Sequence, residues 1–231
     1  MTGPVSGWTD WAVLAALLTG SLLLLAFVRH EARSGAPILP LRLFRSRTFS
    51  AVNLLRLLLY AALGGAFFFL PFVLIQVQGF SAALAGTAFL PFTLIMGGLS
   101  RWSGGLLDRF EVKRLLVVGP TIAALGFGPL ALPIGGGSYW TFLVPIAILG
   151  LGMVVTVAPL TTTVVDAVPA HQTGVAAGVN NAVASTANLL AVAILGAAAL
   201  GIYDHALDSR LAAKGVSREV QQALQIAVDS S

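Results

Sequence analysis

Six long apolar runs, separated by short polar breaks, constrain this sequence more than any other feature. They are Trp11–Val28, Phe49–Ile75, Ala82–Leu107, Leu115–Ile134, Trp140–Thr162 and Val175–Tyr203. A helix crosses the hydrocarbon layer of a bilayer, about 30 Å, in about 20 apolar residues. Each run has roughly that length. Strand-sized alternating segments are missing from the sequence, which argues against a membrane β-barrel. Composition points the same way. The chain is 57% hydrophobic and only 10% charged, whereas a soluble domain carries about 25% charged residues. So little charge cannot clothe a water-facing surface. The sequence therefore excludes a soluble enzyme, a nucleic-acid module and a disordered chain. The expected fold is all-α, a polytopic transmembrane helical bundle of six spans, with the lipid bilayer as its first partner.

The formal charge of +4 comes from 13 Lys and Arg against 9 Asp and Glu. Acid is scarce rather than base abundant, so the balance reflects membrane sidedness and nucleic acid is not an expected partner. Arg29, Arg33, Arg42, Arg45 and Arg47 follow the first run, and Arg101, Arg109, Lys113 and Arg114 gather around the break after the third. Both groups fall on one side if the spans alternate, and that side is expected to be cytoplasmic in a cell (inner) membrane. The other side holds only Arg210, Lys214 and Arg218, in the tail. No base precedes the first run, so it reads as a retained span rather than a signal peptide. Both termini then lie outside, which suggests a chain that is part of something longer. Cysteine is absent, and His30, His171 and His205 are far apart. No metal or other cofactor is expected, and no catalytic cluster of Ser, His and Asp is present, so the chain does not read as an enzyme.

Four polar groups stand out against the apolar background. Asn53, Arg56 and Tyr60, at i, i+3 and i+7, share one face of the second run. A charge at the centre of a span costs about 2.5–3.5 kcal/mol on insertion scales. Arg56 either faces a cavity in the bundle or snorkels toward the interface. Asn181, Ser185 and Asn188 form a second stripe on the last run, with Asn180 and Thr186 beside it. Such a stripe either contacts substrate and water or hydrogen-bonds to other helices. Asp166 closes the fifth run after three threonines, and reads as either a proton relay or a solvated interface acid. Finally, Gly104 to Arg114 joins two runs through a very short charged turn. Gly104 and Gly105 would let helices approach closely. Asp108 sits at the unfavourable end of a helix dipole and should seek a cationic or N–H partner. The turn is either an ordinary basic loop or a conformational latch.

That turn resembles the loop motif of the major facilitator superfamily, G-x-x-x-D-[RK]-x-G-[RK]-[RK]. Gly104, Asp108, Arg109 and Lys113 match, whereas Glu111 stands in place of a glycine and Val112 in place of a base. Three further segments resemble the fourteen-span drug:proton antiporters of that superfamily. They are Phe27 to Phe49 with Pro37, Pro40 and Phe44, then Leu70-Pro71-Phe72 to Leu90-Pro91, and Ala158-Pro159-Leu160 to Ala182 with Thr173-Gly174 and Asn180-Asn181. Together they cover most of residues 8–203.

The resemblance implies the C-terminal portion of such a transporter. Residues 1–48 would be an extra central span and cytoplasmic linker, 49–203 five helices of the C-terminal half without its last helix, and 204–231 a polar extracytoplasmic tail. A complete relative would export small molecules or drugs against proton entry by alternating access. Gly104, Asp108, Arg109 and Lys113 would form the latch. Asn53, Arg56, Tyr60, Asn181, Ser185 and Asn188 would line the cavity, and Asp166 would be the candidate proton site. The implied partners are a small-molecule substrate and a separate N-terminal half. The alternative implied by the same resemblance is a truncated or split half-transporter with no transport of its own.

Overall fold

The structure is a computed structural model that describes residues 11–34, 41–132 and 138–213, and of Ala12, Val13, Leu41, Leu200 and residues 203–213 the backbone only. Gly35 to Pro40 in the linker, the glycine turn Gly135–Gly137 and the tail beyond Ala213 lie outside the described residues. The helices are α1 (Trp11–Arg33), α2 (Arg47–Phe72), α3 (Ala82–Thr87), α4 (Leu90–Leu106), α5 (Val112–Leu130), α6 (Trp140–Asp166) and α7 (Thr173–Ala213). No strand occurs among the described residues. Two compact units are present. The larger, Arg42–Ile194, holds α2 to α6 and most of α7. The smaller comprises Met1–Leu41 and Leu195–Ser231, with α1 and the end of α7 as its described elements.

Five segments are long and apolar enough to cross a membrane: Leu14–Arg33, Arg47–Val77, Ala82–Leu106, Trp140–Asp166 and Ala170–Ala199. The fourth expected run forms α5, 19 residues long, which falls outside that set. Lys113 and Arg114 occupy its first turn, and Pro120 and Pro129 interrupt its apolar sequence. The third expected run is not one continuous helix. It breaks at Ala88–Phe89, because Pro91 at the start of α4 has no N–H to donate to the preceding turn. The Thr87 hydroxyl instead bonds the Leu84 carbonyl at 2.8 Å. The helix of the last run continues past Tyr203, through the first polar residues of the tail, to Ala213.

Local chemistry sets the ends of α2. Ser46 caps the first turn by accepting from the Phe49 N–H at 3.3 Å. At the other end Pro71 precedes a π-helical turn, Val73–Val77. Gly79 then turns the chain with φ of +71°, a conformation that glycine adopts without steric cost. One face of α2 is buried, through Phe49, Val52, Asn53, Arg56 and Leu59, while Leu54 and Leu58 lie on the exposed face.

Packing within the larger unit fixes the helix directions. Phe49 and Val52 pack with Leu160 and Val164, Leu59 with Leu149 and Met153, and Leu70 and Leu74 with Phe142 and Ile146. As numbers rise along α2 they fall along α6, so the two helices are antiparallel. Gly119 and Gly126 of α5 meet Thr156 and Leu149 of α6, also antiparallel. Phe92 of α4 meets Gly150, and the buried Ser103 hydroxyl donates to the Val154 carbonyl at 2.6 Å. Thus α4 runs parallel to α6. Successive spans therefore alternate in direction. This brings the α2 start, the α4–α5 turn and the α6–α7 connection to one end of the unit. Arg42, Arg45, Arg47, Arg109, Lys113 and Arg114 all lie at that end. The connections at the opposite end, Gln78–Ser81 and the described residues between Ala131 and Trp140, carry no Lys or Arg.

The core of the unit is α6. It packs against α2, α4 and α5, with Ile146, Leu149, Met153, Leu160 and Val164 all but inaccessible. Its closest neighbour is α5, where glycine removes the side-chain layer. A Cβ on Gly152 would meet the Ala123 nitrogen, the Ala123 Cα at 2.7 Å and the Gly119 carbonyl at 2.8 Å. These are backbone atoms, so the two helices touch main chain to main chain.

Candidate functional site

The two polar stripes that lie 120 and more residues apart in sequence meet across α2 and α7. Arg56 is 6% exposed and Asn53 4%, so Arg56 does not snorkel out of the unit. Its Nη2 donates to Asn181 Oδ1 at 3.3 Å. The guanidinium carbon lies 4.7 Å from the centre of the Tyr60 ring, one helical turn along, in cation–π contact. Further along both helices the backbones close up. A Cβ on Gly64 would meet Asn188 Oδ1 at 2.5 Å and Asn188 Cα at 2.9 Å. The pairs 56/181 and 64/188 rise together, so α2 and α7 are parallel neighbours.

The seam is polar but incompletely paired. Asn53 Nδ2 donates back to the Phe49 carbonyl at 2.9 Å. Asn53 Oδ1, Arg56 Nε, Arg56 Nη1 and Asn180 Oδ1 are buried and have no hydrogen-bond partner among the described residues. Asn180, 1% exposed, is a residue that its position beside the stripe alone did not single out. Asn181 and Ser185 lie on the exposed face of α7, and Asn188 is half-buried. The arrangement is a buried cation under a neutral amide, bordered by exposed polar side chains.

Asp166 is the last residue of α6 and is exposed, at the basic end of the unit. The threonines before it are satisfied within their own helix. Thr161 bonds the Val157 carbonyl at 2.9 Å, and Thr163 bonds Pro159 at 2.6 Å. They form no relay with the acid.

The motif-like turn departs from its expected geometry. Nothing stands within 4 Å of a Cβ placed on Gly104 or Gly105. These glycines permit no close approach here; α4 turns them outward while Ser103 and Leu106 face the core. The same holds for Gly174 and Gly178 on α7. Asp108 is exposed, and the cations near it make no ion pair with it among the described residues. The ion pair of the turn is instead Arg114 Nε with Glu111 Oε2, 3.6 Å apart and more than 70% exposed on both sides. Glu111 has φ −61° and ψ 132°. This is an ordinary extended conformation, so the turn closes without the glycine that the motif carries.

Comparison with known sequences places this geometry. The profile of the major facilitator superfamily matches residues 4–192. The tetracenomycin C resistance and export protein of Streptomyces glaucescens is 33% identical over 198 residues, 84% of this chain and 36% of that protein. The puromycin resistance protein pur8 of Streptomyces alboniger is 33% identical, covering 96% of this chain and 46% of its own length. The multidrug resistance protein Stp of Mycobacterium tuberculosis is 26% identical over 99% of this chain and 43% of its own. The chain spans less than half the length of each of these relatives. The match runs through α2, the α4–α5 turn and the polar start of α7, and its family is one of transporters, not enzymes. This multi-pass membrane chain belongs to the major facilitator superfamily.

Proposed function

We propose that the chain serves secondary active efflux of small molecules, by alternating access coupled to proton entry, in the cell membrane. The observation that carries this reading is the α2–α7 seam. Two stripes of Asn, Arg, Tyr and Ser converge on one interface, in a bundle whose other contacts are almost wholly apolar. Polar groups are costly in lipid unless they face protein or an aqueous path. Relatives whose names specify export or drug resistance support the direction of transport. Collection of the bases at one end of the larger unit supports a cytoplasmic assignment for that end.

In this reading residues 49–203 form the cavity wall of one transporter half. Residues 1–48 supply an extra span with its linker, and 204–231 an outer tail. Asn53, Arg56, Tyr60, Asn181, Ser185 and Asn188 line the path. The turn at Gly104, Asp108, Arg109 and Lys113 closes its cytoplasmic side, and Asp166 carries the proton. A separate N-terminal half completes the site.

The test is accumulation of puromycin in an exporter-deficient bacterium that carries the chain, with and without a co-expressed N-terminal half from a relative. Lower accumulation that a protonophore abolishes is expected with the added half. Unchanged accumulation in both arms would refute the reading. It would leave an inserted but inert half.

A further inference from the structure

The unpaired guanidinium of Arg56 has a consequence for substrate class. We propose that Arg56, with Asn181 above it and Tyr60 beside it, is a subsite for the carboxylate of an acidic, amphipathic small molecule. This rests on the reading of the α2–α7 seam as the wall of the substrate path.

Arg56 is a permanent cation, and it is only 6% exposed. No acidic side chain neutralises it among the described residues, and the one ion pair of the larger unit lies on the α4–α5 turn. Its one side-chain hydrogen bond among the described residues, at 3.3 Å to a neutral amide oxygen, is long for a charged donor, whose bonds to carboxylate run about 2.7–2.9 Å. Nε and Nη1 have no acceptor among the described residues. A buried cation held so weakly is stabilised by an anion that arrives from outside. Asn181 is exposed while its Oδ1 touches the guanidinium. The Asn181 side of the cation is therefore the side nearest the surface, and Asn181 must yield its place before a stronger acceptor reaches the buried guanidinium. The Tyr60 ring supplies an apolar, polarisable wall for the body of the ligand.

The experiment uses the full chain in lipid nanodiscs at neutral pH and follows dansyl fluorescence. The probes are N-dansylglycine, its methyl ester and N-dansylethylenediamine, which share one fluorophore and differ in charge. The acid is expected to bind about tenfold or more tightly than the ester, as one charged hydrogen-bonded contact allows. R56Q should erase that difference. N181D should erase it too, because its own carboxylate then occupies the guanidinium. This second variant keeps the idea testable if R56Q folds poorly. Equal binding of acid and ester, no binding of any probe, or an acid preference that survives both substitutions would overturn the proposal. Puromycin efflux separates this from the broader reading. Efflux without acid preference leaves transport standing and removes the anion subsite. Acid preference without efflux of either puromycin or N-dansylglycine leaves an anion-binding seam and removes both the transport assignment and the substrate subsite.

Discussion

Gly152→Ala should destabilise the bundle more than any other single methyl group added to a glycine of the α4–α6 region. The new Cβ would lie against the Ala123 nitrogen, 2.7 Å from the Ala123 Cα and 2.8 Å from the Gly119 carbonyl. Carbon atoms rest about 3.5–4.0 Å apart, so α5 and α6 must separate by roughly 1 Å. Neither helix can relieve this by turning a side chain, because every opposing atom is main chain. Overpacking of this kind costs about 1–3 kcal/mol. In a chain of this size that is a fall of about 2–4 °C in the melting midpoint for each kcal/mol. Gly104→Ala is the control. Its Cβ would meet nothing within 4 Å, and alanine is the better helix former. Its midpoint should stay level or rise. The assay is thermal unfolding of the detergent-solubilised chain, followed by tryptophan fluorescence. The reasoning fails if the two variants melt together, or if Gly104→Ala is the weaker one. Either result would mean that the motif glycine, not Gly152, is the packing glycine.

Three more predictions follow from the geometry. Single cysteines replacing Arg45 and Lys113 should react with an impermeant maleimide from the same side of the membrane, and a cysteine at Gln78 from the opposite side; labelling of Arg45 and Lys113 from different sides would break the alternation of spans. Glu111→Gln should leave the melting midpoint within error, because the pair with Arg114 is largely solvated and screened; a drop of several degrees would show that the turn is held by this pair after all. Asp166→Asn should abolish uptake driven by a proton gradient in inverted vesicles and retain exchange of puromycin at equal concentrations; gradient-driven flux equal to that of the parent chain would reduce Asp166 to an interface acid.

How far the sequence disclosed the fold depends on which physical signal is asked. Span positions come from hydropathy averaged over about 20 residues, and averaging is robust. Five of the six expected runs form helices or helix pairs long and apolar enough to cross a membrane. Boundaries depend on single residues. Pro91 breaks the third run internally, and Lys113 and Arg114 in the first turn of α5 lower its apolar character. Glycine packing is legible in part: Gly150-Leu151-Gly152, inside the apolar fifth run, reads as packing and both glycines lie against neighbouring helices, but spacing says that two small residues share a face and not which face is buried. Gly174 and Gly178 have the i, i+4 spacing of a packing face, and Gly104 and Gly105 stand side by side, yet all four face open space, whereas Gly152 lies against a neighbouring backbone. The useful signal was reciprocity. Gly119, Ala123 and Gly126 on α5 offer a small-residue face that matches Gly152 on α6, and a run-by-run reading of one helix cannot reveal it.

The candidate site shows the same limit in a sharper form. Helical periodicity alone puts Asn53, Arg56 and Tyr60 on one face and Asn181, Ser185 and Asn188 on another. It leaves open whether either face meets lipid, protein or water. The structure joins the two stripes through Arg56 and Asn181 and through Gly64 and Asn188. Asn180 is the residue this pairing adds. It is nearly inaccessible with an unpaired carbonyl oxygen, although its neighbour Asn181 is exposed. A stability argument alone does not account for the choice of side chains. An apolar residue at position 56, nine residues into α2, would avoid part of the cost of about 2.5–3.5 kcal/mol that a charge carries at the centre of a span, and one at position 53 or 180 would avoid leaving an amide oxygen unbonded. The bundle has ample apolar contact elsewhere, so these groups are not needed to hold α2 against α7. Gly64, which lets the helices meet at Asn188, already supplies a close approach. A buried cation and unpaired amide oxygens on both α2 and α7 would make physical sense where a polar guest completes them for part of a cycle. In the proposed reading a transport path imposes that condition on its wall, and loss of the acid preference in R56Q is the result that checks it.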